Sequence, residues 1–329
     1  MIRTIQPWSK RFRPSSAGWL HYERSSTLLL ALLCSCGSPL KQAVKTDAPA
    51  FTVRLPASTD QSLGSRLRDG QPTDVNPCFR GDMNPQTFSS WSNRTLRYDA
   101  SGDANLAADF GKVVTASVGG SGHHTIGITL MDMLVNRLDR LYFDASSSCA
   151  TDETMRTRYQ QPNGVIEHVI TQVLGAGSIE VNQGQSGAIG VKVHGPPNVP
   201  VSVGVNAKGE KVESWKGVNL YIAHLAQPFK VTLKVAAACR LSVATGMTCD
   251  LDSCSIKIDA VDQDTASRTE RYTATLSCED GTVTKLSGQT STYAAAKTAP
   301  GVSYSLRLRP SDVAGTYNID FFRWNVLPL

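Results

Sequence analysis

The chain is dominated by short segments in which apolar and polar residues alternate, the period of a β-strand with one buried face. Two such segments, 113–118 and 125–130, flank the sequence Gly-Gly-Ser-Gly at 119–122, and this arrangement predicts a β-hairpin over 113–130. Further alternating segments follow at 189–193, 201–205 and 218–222. We expect the apolar residues of all these strands to face the core of a mostly antiparallel sheet.

One segment shows helical spacing instead. Between Val165 and Leu174, apolar residues recur in adjacent pairs at i, i+4 and i+8, with Pro162 and Asn163 before them and Gly175 and Gly177 after them. These flanks suit the start and the end of a helix. The pattern therefore predicts a helix packed on the sheet. Residues 131–141 also carry apolar residues at helical spacing, which leaves open whether the strand before them continues or gives way to a helix.

The C-terminal third has the pattern of an all-β unit. Strands are predicted at 256–260, 272–278, 304–308 and 317–321, with a turn at Asp280-Gly281. The predicted fold class is therefore α+β, a helix on a mostly antiparallel sheet, followed by a small all-β sandwich-like domain. The predicted boundaries place the α+β domain at 77–235 and the all-β domain at 236–329.

The N-terminal segment has the composition of an export signal. Cationic Arg24 precedes a short apolar run from Leu28 to Cys34, followed by Ser35 and Cys36. This run is far shorter than the roughly 20 residues of a membrane-spanning helix. Leu33-Cys34-Ser35-Cys36 resembles the lipobox of bacterial lipoproteins. The resemblance implies that residues 1–35 are a signal peptide and that Cys36 is lipidated, with diacylglyceryl and palmitate chains, as the mature N-terminus.

The same resemblance carries expectations about location. It implies a cell-envelope protein held to a membrane by its lipid anchor, and Gly37 and Ser38 after the cysteine favour the outer membrane. Residues 36–76 are rich in Pro, Ser, Thr, Asp and Gly, which predicts a flexible tether.

The cysteines that follow Cys36 are even in number, as expected for an exported protein with disulfide bonds. The six disulfide candidates are Cys78, Cys149, Cys239, Cys249, Cys254 and Cys278. If the boundary at 235/236 holds, Cys78 pairs with Cys149, and the pairing of the other four stays open.

The formal charge of +5 belongs largely to the leader. Without residues 1–35, 28 basic residues face 27 acidic ones. A nucleic-acid partner is therefore not expected, because binding the phosphate backbone requires a concentrated basic surface.

Motifs for catalysis or metal binding are weak. Ser121 and Ser186 lie in Gly-rich segments that lack the Gly-x-Ser-x-Gly pattern, and the neighbours His123 and His124 point to opposite faces if they lie on a strand. Asp250 and Asp252 offer too few oxygens for calcium. We predict no catalytic residue, no metal and no cofactor.

Three function hypotheses follow. The first is a non-enzymatic cell-envelope lipoprotein that binds another envelope or extracellular protein or has a structural role, with 236–329 as its interaction module. The second is a membrane-acting, pore-forming or toxin-like protein, since the alternating segments 113–130 and 189–205 resemble membrane-inserting hairpins, although their strands are shorter than the roughly 9 to 11 residues required. The third is a hydrolase that uses Ser121.

Overall fold

A computed structural model describes most of the chain. The described residues are 37–73, 77–99, 104–118, 125–144, 147, 149, 152–183, 189–194, 200–236, 239–242, 246, 248–264 and 269–329. The leader and Cys36 lie outside them, as do Ser121, His123, His124 and Ser186.

Three short helices occur within these ranges: α1 (Pro39–Asp47), α2 (Ala104–Phe110) and α3 (Glu153–Tyr159). Ser38 caps α1 by accepting a hydrogen bond from the Lys41 amide, and Pro39 occupies the first turn, where its missing N–H costs nothing. Leu40 and Val44 are fully buried against the core. This packing differs from the flexible tether expected over 36–76, because the isolated apolar residues of that segment line up on one face of a helix.

The remaining regular structure is β-sheet. The strands are Thr52–Ser58 (β1), Leu67–Arg68 (β2), Gln71–Pro72 (β3), Phe79–Thr87 (β4), Thr95–Asp99 (β5), Val114–Val118 (β6), Thr125–Phe143 (β7), Val165–Asn182 (β8), Ile189–Val193 (β9), Val201–Val205 (β10), Lys211–Val235 (β11), Cys239–Ser242 (β12), Thr248–Leu251 (β13), Cys254–Asp264 (β14), Thr269–Cys278 (β15), Val283–Gln289 (β16), Ala294–Ala299 (β17), Val302–Pro310 (β18) and Thr316–Pro328 (β19).

An eleven-stranded sheet organises the molecule, and seven of its strands follow the order β17-β18-β19-β11-β8-β7-β4. The other four pair beside this path: β1 and β10 with β11, β5 with β7, and β12 with β19. Its longest strand, β11, pairs along one side with β8. Along its other side it pairs in turn with β10, β1 and β19. Through β19 the sheet continues past the predicted boundary at residue 235, and Ser38–Leu329 form one compact unit.

The helix predicted over 165–174 is wrong, because this segment lies within β8, between β7 and β11. Both faces of this central strand are covered, so neighbouring residues are buried on opposite sides: Val169 packs in the cluster around Trp324, and Ile170 in the cluster around Leu63. Thr171 is an extra residue of β8 with no partner in β11, a bulge that shifts the register between these two strands. Buried doublets on such a strand imitate helical spacing. The helix-on-sheet α+β class is therefore corrected to a mostly β fold.

The ambiguous segment 131–141 is also a strand, since β7 runs without interruption from Thr125 to Phe143. Arg140 adopts a positive φ of 51° where the register against β4 shifts. Such a bulge moves side chains from one face to the other, which accounts for the broken alternation.

The hairpin predicted over 113–130 is wrong in its pairing. β6 pairs with β9 as a separate two-stranded ribbon, whereas β7 pairs with β8, β4 and β5. Local alternation cannot specify which strand supplies the partner.

The predicted C-terminal strands lie within β14, β15, β18 and β19, and the sandwich-like part of the prediction is confirmed. The four-stranded sheet β13-β14-β15-β16 shares one core with β17, β18 and β19. Ile256, Tyr272 and Leu276 face Leu306 and Phe321 across it. This second layer is not separate, because β19 also pairs with β11.

The expectation of disulfide bonds is confirmed. They join Cys78 to Cys149, Cys239 to Cys249, and Cys254 to Cys278. The first lies beside the aromatic cluster in which Phe143 stacks on Trp324 at 3.9 Å. The second joins β12 of the large sheet to β13 of the four-stranded sheet, and the third joins β14 to β15.

Candidate interaction edge

The hairpin formed by β10 and β11 leaves one strand at the border of the large sheet. β10 pairs with residues 211–215 of β11, with Val201 opposite Trp215 and Val205 opposite Lys211. Among the described residues, β11 is the one strand that pairs with β10. The other backbone edge of β10 therefore has no paired strand in the part of the chain that the structure describes.

All five residues of β10 are exposed, and three of them are valines on one face. Val201 is 49% exposed, Val203 64% and Val205 71%. Trp215 on the same face is buried in the main core, which includes the ribbon residues Val114 and Val191. The part of this face that the main core covers thus ends at Trp215, and the three valines lie outside it.

The turn that holds β10 is stabilised by hydrogen bonds. The Asn206 side chain accepts bonds from the amides of Lys208 and Glu210, and Gly209 has the positive φ of 76° that such a turn requires. Asn182 of β8 and Asn206 both donate to the Glu210 carboxylate, at 2.5 and 2.7 Å. These two bonds hold the pKa of Glu210 below its ordinary value. The hairpin is therefore fixed before any partner binds.

Sheet edges usually carry features that prevent pairing, such as an inward charge, a proline or a bulge. The sequence of β10, Val-Ser-Val-Gly-Val, has none of these within the strand. Its pairing with β11 is regular over five residues. A regular, uncharged and apolar edge is a template for strand addition.

This edge differs from the sequence expectation in two respects. We expected the valines of 201–205 to face the core and the interaction module to lie in 236–329. One signal in the sequence was informative: Lys211 and Glu213 share the valine face of the hairpin and form an ion pair with each other. Charges on the face that carries the valines indicate that this end of the face meets solvent.

Of the acidic pair considered for calcium, Asp250 lies in β13 and Asp252 in the turn between β13 and β14. Asp252 accepts hydrogen bonds from Lys234 at 2.9 Å and from Arg323 at 2.6 Å. Burial acts to raise the pKa of Asp252, but these two cations outweigh it and lower the pKa. Asp252 thus belongs to an ion-pair cluster. In the parts of the chain that the structure describes, no group of three or more His, Cys, Asp or Glu residues is arranged to hold a metal.

Helices of the described ranges are also too short or too polar to cross a bilayer. The lipidation residue Cys36 and the serine and histidine candidates lie outside those ranges, so they stay predictions.

Comparisons with known proteins add little. No family model matches the chain, and no curated protein sequence matches it. Among solved structures, a bacterial gasdermin from Bradyrhizobium tropiciagri is similar to it over 61% of this chain and 89% of that chain, with 12% identity and a TM-score of 0.27. A likeness this low carries no argument about fold or function.

Proposed function

We propose that this protein is a lipid-anchored component of the bacterial cell envelope that associates through strand addition at β10, and that the added strand is β10 of a second copy. The observation that carries the proposal is the open edge of β10 with its three exposed valines. The lipid anchor rests on the lipobox resemblance of residues 33–36.

The sequence of β10 is self-complementary. Val-Ser-Val-Gly-Val has a valine at both ends and at its centre, so an antiparallel pair centred on Val203 places every valine opposite a valine. Val201 then lies opposite Val205 of the second copy, and Ser202 opposite Gly204. Apolar cross-strand pairs stabilise such a ladder, and β10 brings no charge that would oppose it. A two-fold interface of this kind uses the same patch on both copies.

The size of the edge sets the expected affinity. Five residues of strand bury less than the roughly 1,200 Å² typical of stable interfaces, so we expect a dissociation constant on the order of micromolar. Anchoring copies in one membrane would raise their local concentration and favour the pair.

Disulfide trapping tests the register directly. In the full chain with Cys34→Ser and Cys36→Ser, we expect Val203→Cys to give a covalent dimer under mild oxidation. Residues on the two-fold axis have Cα atoms about 4.5 to 5.5 Å apart, within the range of a disulfide.

Two matched variants control this experiment. Val201→Cys lies on the same strand and face. In the proposed pair, however, the Cα atoms of residue 201 in the two copies would be about 13 Å apart, so this variant should not crosslink. Val283→Cys is equally exposed, at 65%, on β16 of the other sheet. Equal crosslinking of all three variants, or none by Val203→Cys, contradicts the proposed pairing.

Sedimentation measures the association without crosslinks. Val203→Lys should shift the chain to monomer, because two lysines would meet on the axis, whereas Val283→Lys should leave the dimer intact. A wild-type chain that is monomeric yet photo-crosslinks through β10 to a different envelope protein would show that β10 is an interaction surface. It would contradict the proposal that the partner is a second copy.

The anchor has a separate test. Cys36→Ser should remove the mass of the lipid and release the protein from membranes. Unchanged mass and membrane association would contradict lipidation without affecting the pairing of β10.

A second candidate function is a membrane-acting protein, which is favoured by the same three exposed valines, since an apolar row on a hairpin strand is able to contact lipid. Release of dye from phospholipid vesicles, abolished by Val203→Lys but not by Val283→Lys, would support this function. Intact vesicles together with dimer formation would support self-association instead.

A further inference from the structure

A polar pocket of about 390 Å³ lies between helix α3 and the strands β18 and β19. Arginines from both sides line it, Arg156 from α3 and Arg307 and Arg309 from β18. Since Arg307 and Arg309 are two residues apart on one strand, they share a face, while Leu306 and Leu308 face the core. The residues that line the pocket are distant from β10 in the sequence, and none of them belongs to the β10–β11 hairpin proposed above to pair.

A single carboxylate orients two of these arginines. Asp320 of β19 lies opposite Arg307 and accepts hydrogen bonds from its Nε and Nη2 at 2.9 and 2.6 Å. The other oxygen of Asp320 accepts from Arg309 at 2.8 Å. Asp320 is largely buried, so the two guanidinium groups are held in a fixed relation.

The third arginine is positioned by aromatic rings. Arg156 donates a hydrogen bond to the hydroxyl of Tyr293 and lies 5.8 Å from the centre of the Phe322 ring. The guanidinium of Arg307 lies over the ring of Tyr293 at 4.7 Å. Tyr293 is thus in contact with both Arg156 and Arg307. These contacts hold Arg156 without neutralising its charge.

The pocket therefore carries excess positive charge. Its lining contains three arginines against two carboxylates, Asp320 and the exposed Glu153. Each guanidinium has five N–H donors, and the contacts described above occupy two on Arg307 and one each on Arg309 and Arg156. Arginine forks with spare donors match the oxygens of a phosphate group, which accepts bidentate bonds.

We propose that this pocket binds a phosphate monoester or inorganic phosphate, with Arg309 and Arg156 as its principal ligands and Asp320 as the residue that positions Arg307 and Arg309. Two sources supply this chemistry, free phosphate in solution and the headgroup of phosphatidic acid, a phospholipid that ends in a phosphate monoester. The binding should weaken as salt rises, because the pocket is open to solvent.

Calorimetric titration of the full chain, with Cys34→Ser and Cys36→Ser, using inorganic phosphate tests the first source. We expect Arg309→Gln to lower the affinity by about tenfold, as expected for the loss of one charge-assisted hydrogen bond. Arg137→Gln is the matched control: Arg137 is 51% exposed beside Asp139 at 2.8 Å, and Arg309 is 52% exposed beside Asp320 at 2.8 Å.

Flotation with vesicles tests the second source. Vesicles that contain phosphatidic acid expose a phosphate monoester, whereas phosphatidylcholine vesicles do not. Binding to the former, reduced by Arg309→Gln, assigns the site to a lipid headgroup, and titration by inorganic phosphate with no vesicle binding assigns it to a free ligand. If neither probe binds, or if Arg137→Gln weakens binding as much as Arg309→Gln, the assignment is overturned.

Discussion

Val201 of β10 lies directly opposite Trp215 of β11, yet the tryptophan is 6% exposed and the valine 49%. One cross-strand pair thus marks the border between the main core and the open edge. The energetic cost of truncating the two side chains should differ accordingly.

The first prediction concerns that border. Trp215→Ala should lower the free energy of unfolding by about 3 to 5 kcal/mol, because it opens a cavity in the main core. Val201→Ala should change it by less than about 0.5 kcal/mol, since half of the valine is already exposed to solvent. Urea denaturation of monomeric protein at low concentration measures both, and a large cost for Val201→Ala would contradict the exposed edge.

The second prediction concerns the N-terminal helix α1. The buried carboxylate of Asp109 accepts hydrogen bonds from the Leu40 amide at 3.1 Å and from the Tyr98 hydroxyl at 2.8 Å. Asp109→Ala leaves both donors buried without an acceptor, so we expect a loss of about 2 to 4 kcal/mol. Limited proteolysis should then cut near α1 sooner than in the wild type.

Asp312→Ala is the control for this experiment, because Asp312 is exposed in the turn between β18 and β19. If both variants resist protease like the wild type, Asp109 does not hold α1 in place.

The third prediction compares two disulfides by the length of chain that each closes. Cys78 and Cys149 are 71 residues apart, and Cys239 and Cys249 are 10 apart. Loop-closure entropy gives losses of about 4 and about 3 kcal/mol when each pair is replaced by alanine. Thermal denaturation should therefore show the lower midpoint for the double variant at 78 and 149. The reverse order would mean that strain or cavities outweigh chain entropy.

The fourth prediction concerns acid stability. His224 of β11 is almost fully buried, opposite Thr52 and Val173, and neither ring nitrogen has a hydrogen-bond partner among the described residues. Burial, with a smaller contribution from Arg54, lowers the pKa of His224 below 6.5. The unfolded chain therefore binds a proton more readily than the folded one, and stability is lost as the pH falls from 6.5 towards the folded-state pKa.

Replacement of His224 should remove that dependence. In His224→Leu the free energy of unfolding should fall less between pH 7 and pH 5 than in the wild type, while the exposed variant His168→Leu should keep the wild-type slope. Identical slopes for wild type and His224→Leu would exclude this histidine as the acid-sensitive group.

Alternation along the chain was sufficient to place the strands at 189–193, 201–205 and 256–260, and the even number of cysteines after Cys36 predicted disulfides. The first signal is local, since a strand with one buried face records its period in its own sequence. The second is a count that predicts disulfides without their pairing. Gly281 at a positive φ of 83° likewise matches the turn predicted at Asp280-Gly281.

Properties that depend on neighbours were decided by the tertiary structure. Val169 and Ile170 form part of a strand because β7 and β11 flank it, and the same doublet in isolation has the spacing of a helix. β6 pairs with β9 across 70 residues of chain, a choice that no local pattern contains.

For the interaction edge, the sequence determined that Val201, Val203 and Val205 lie on one side of a strand. The tertiary structure decided that this side is exposed, because the layer that covers Trp215 ends before it reaches β10. A side chain's face follows from the geometry of its own backbone, whereas its burial depends on what the rest of the chain packs against that face.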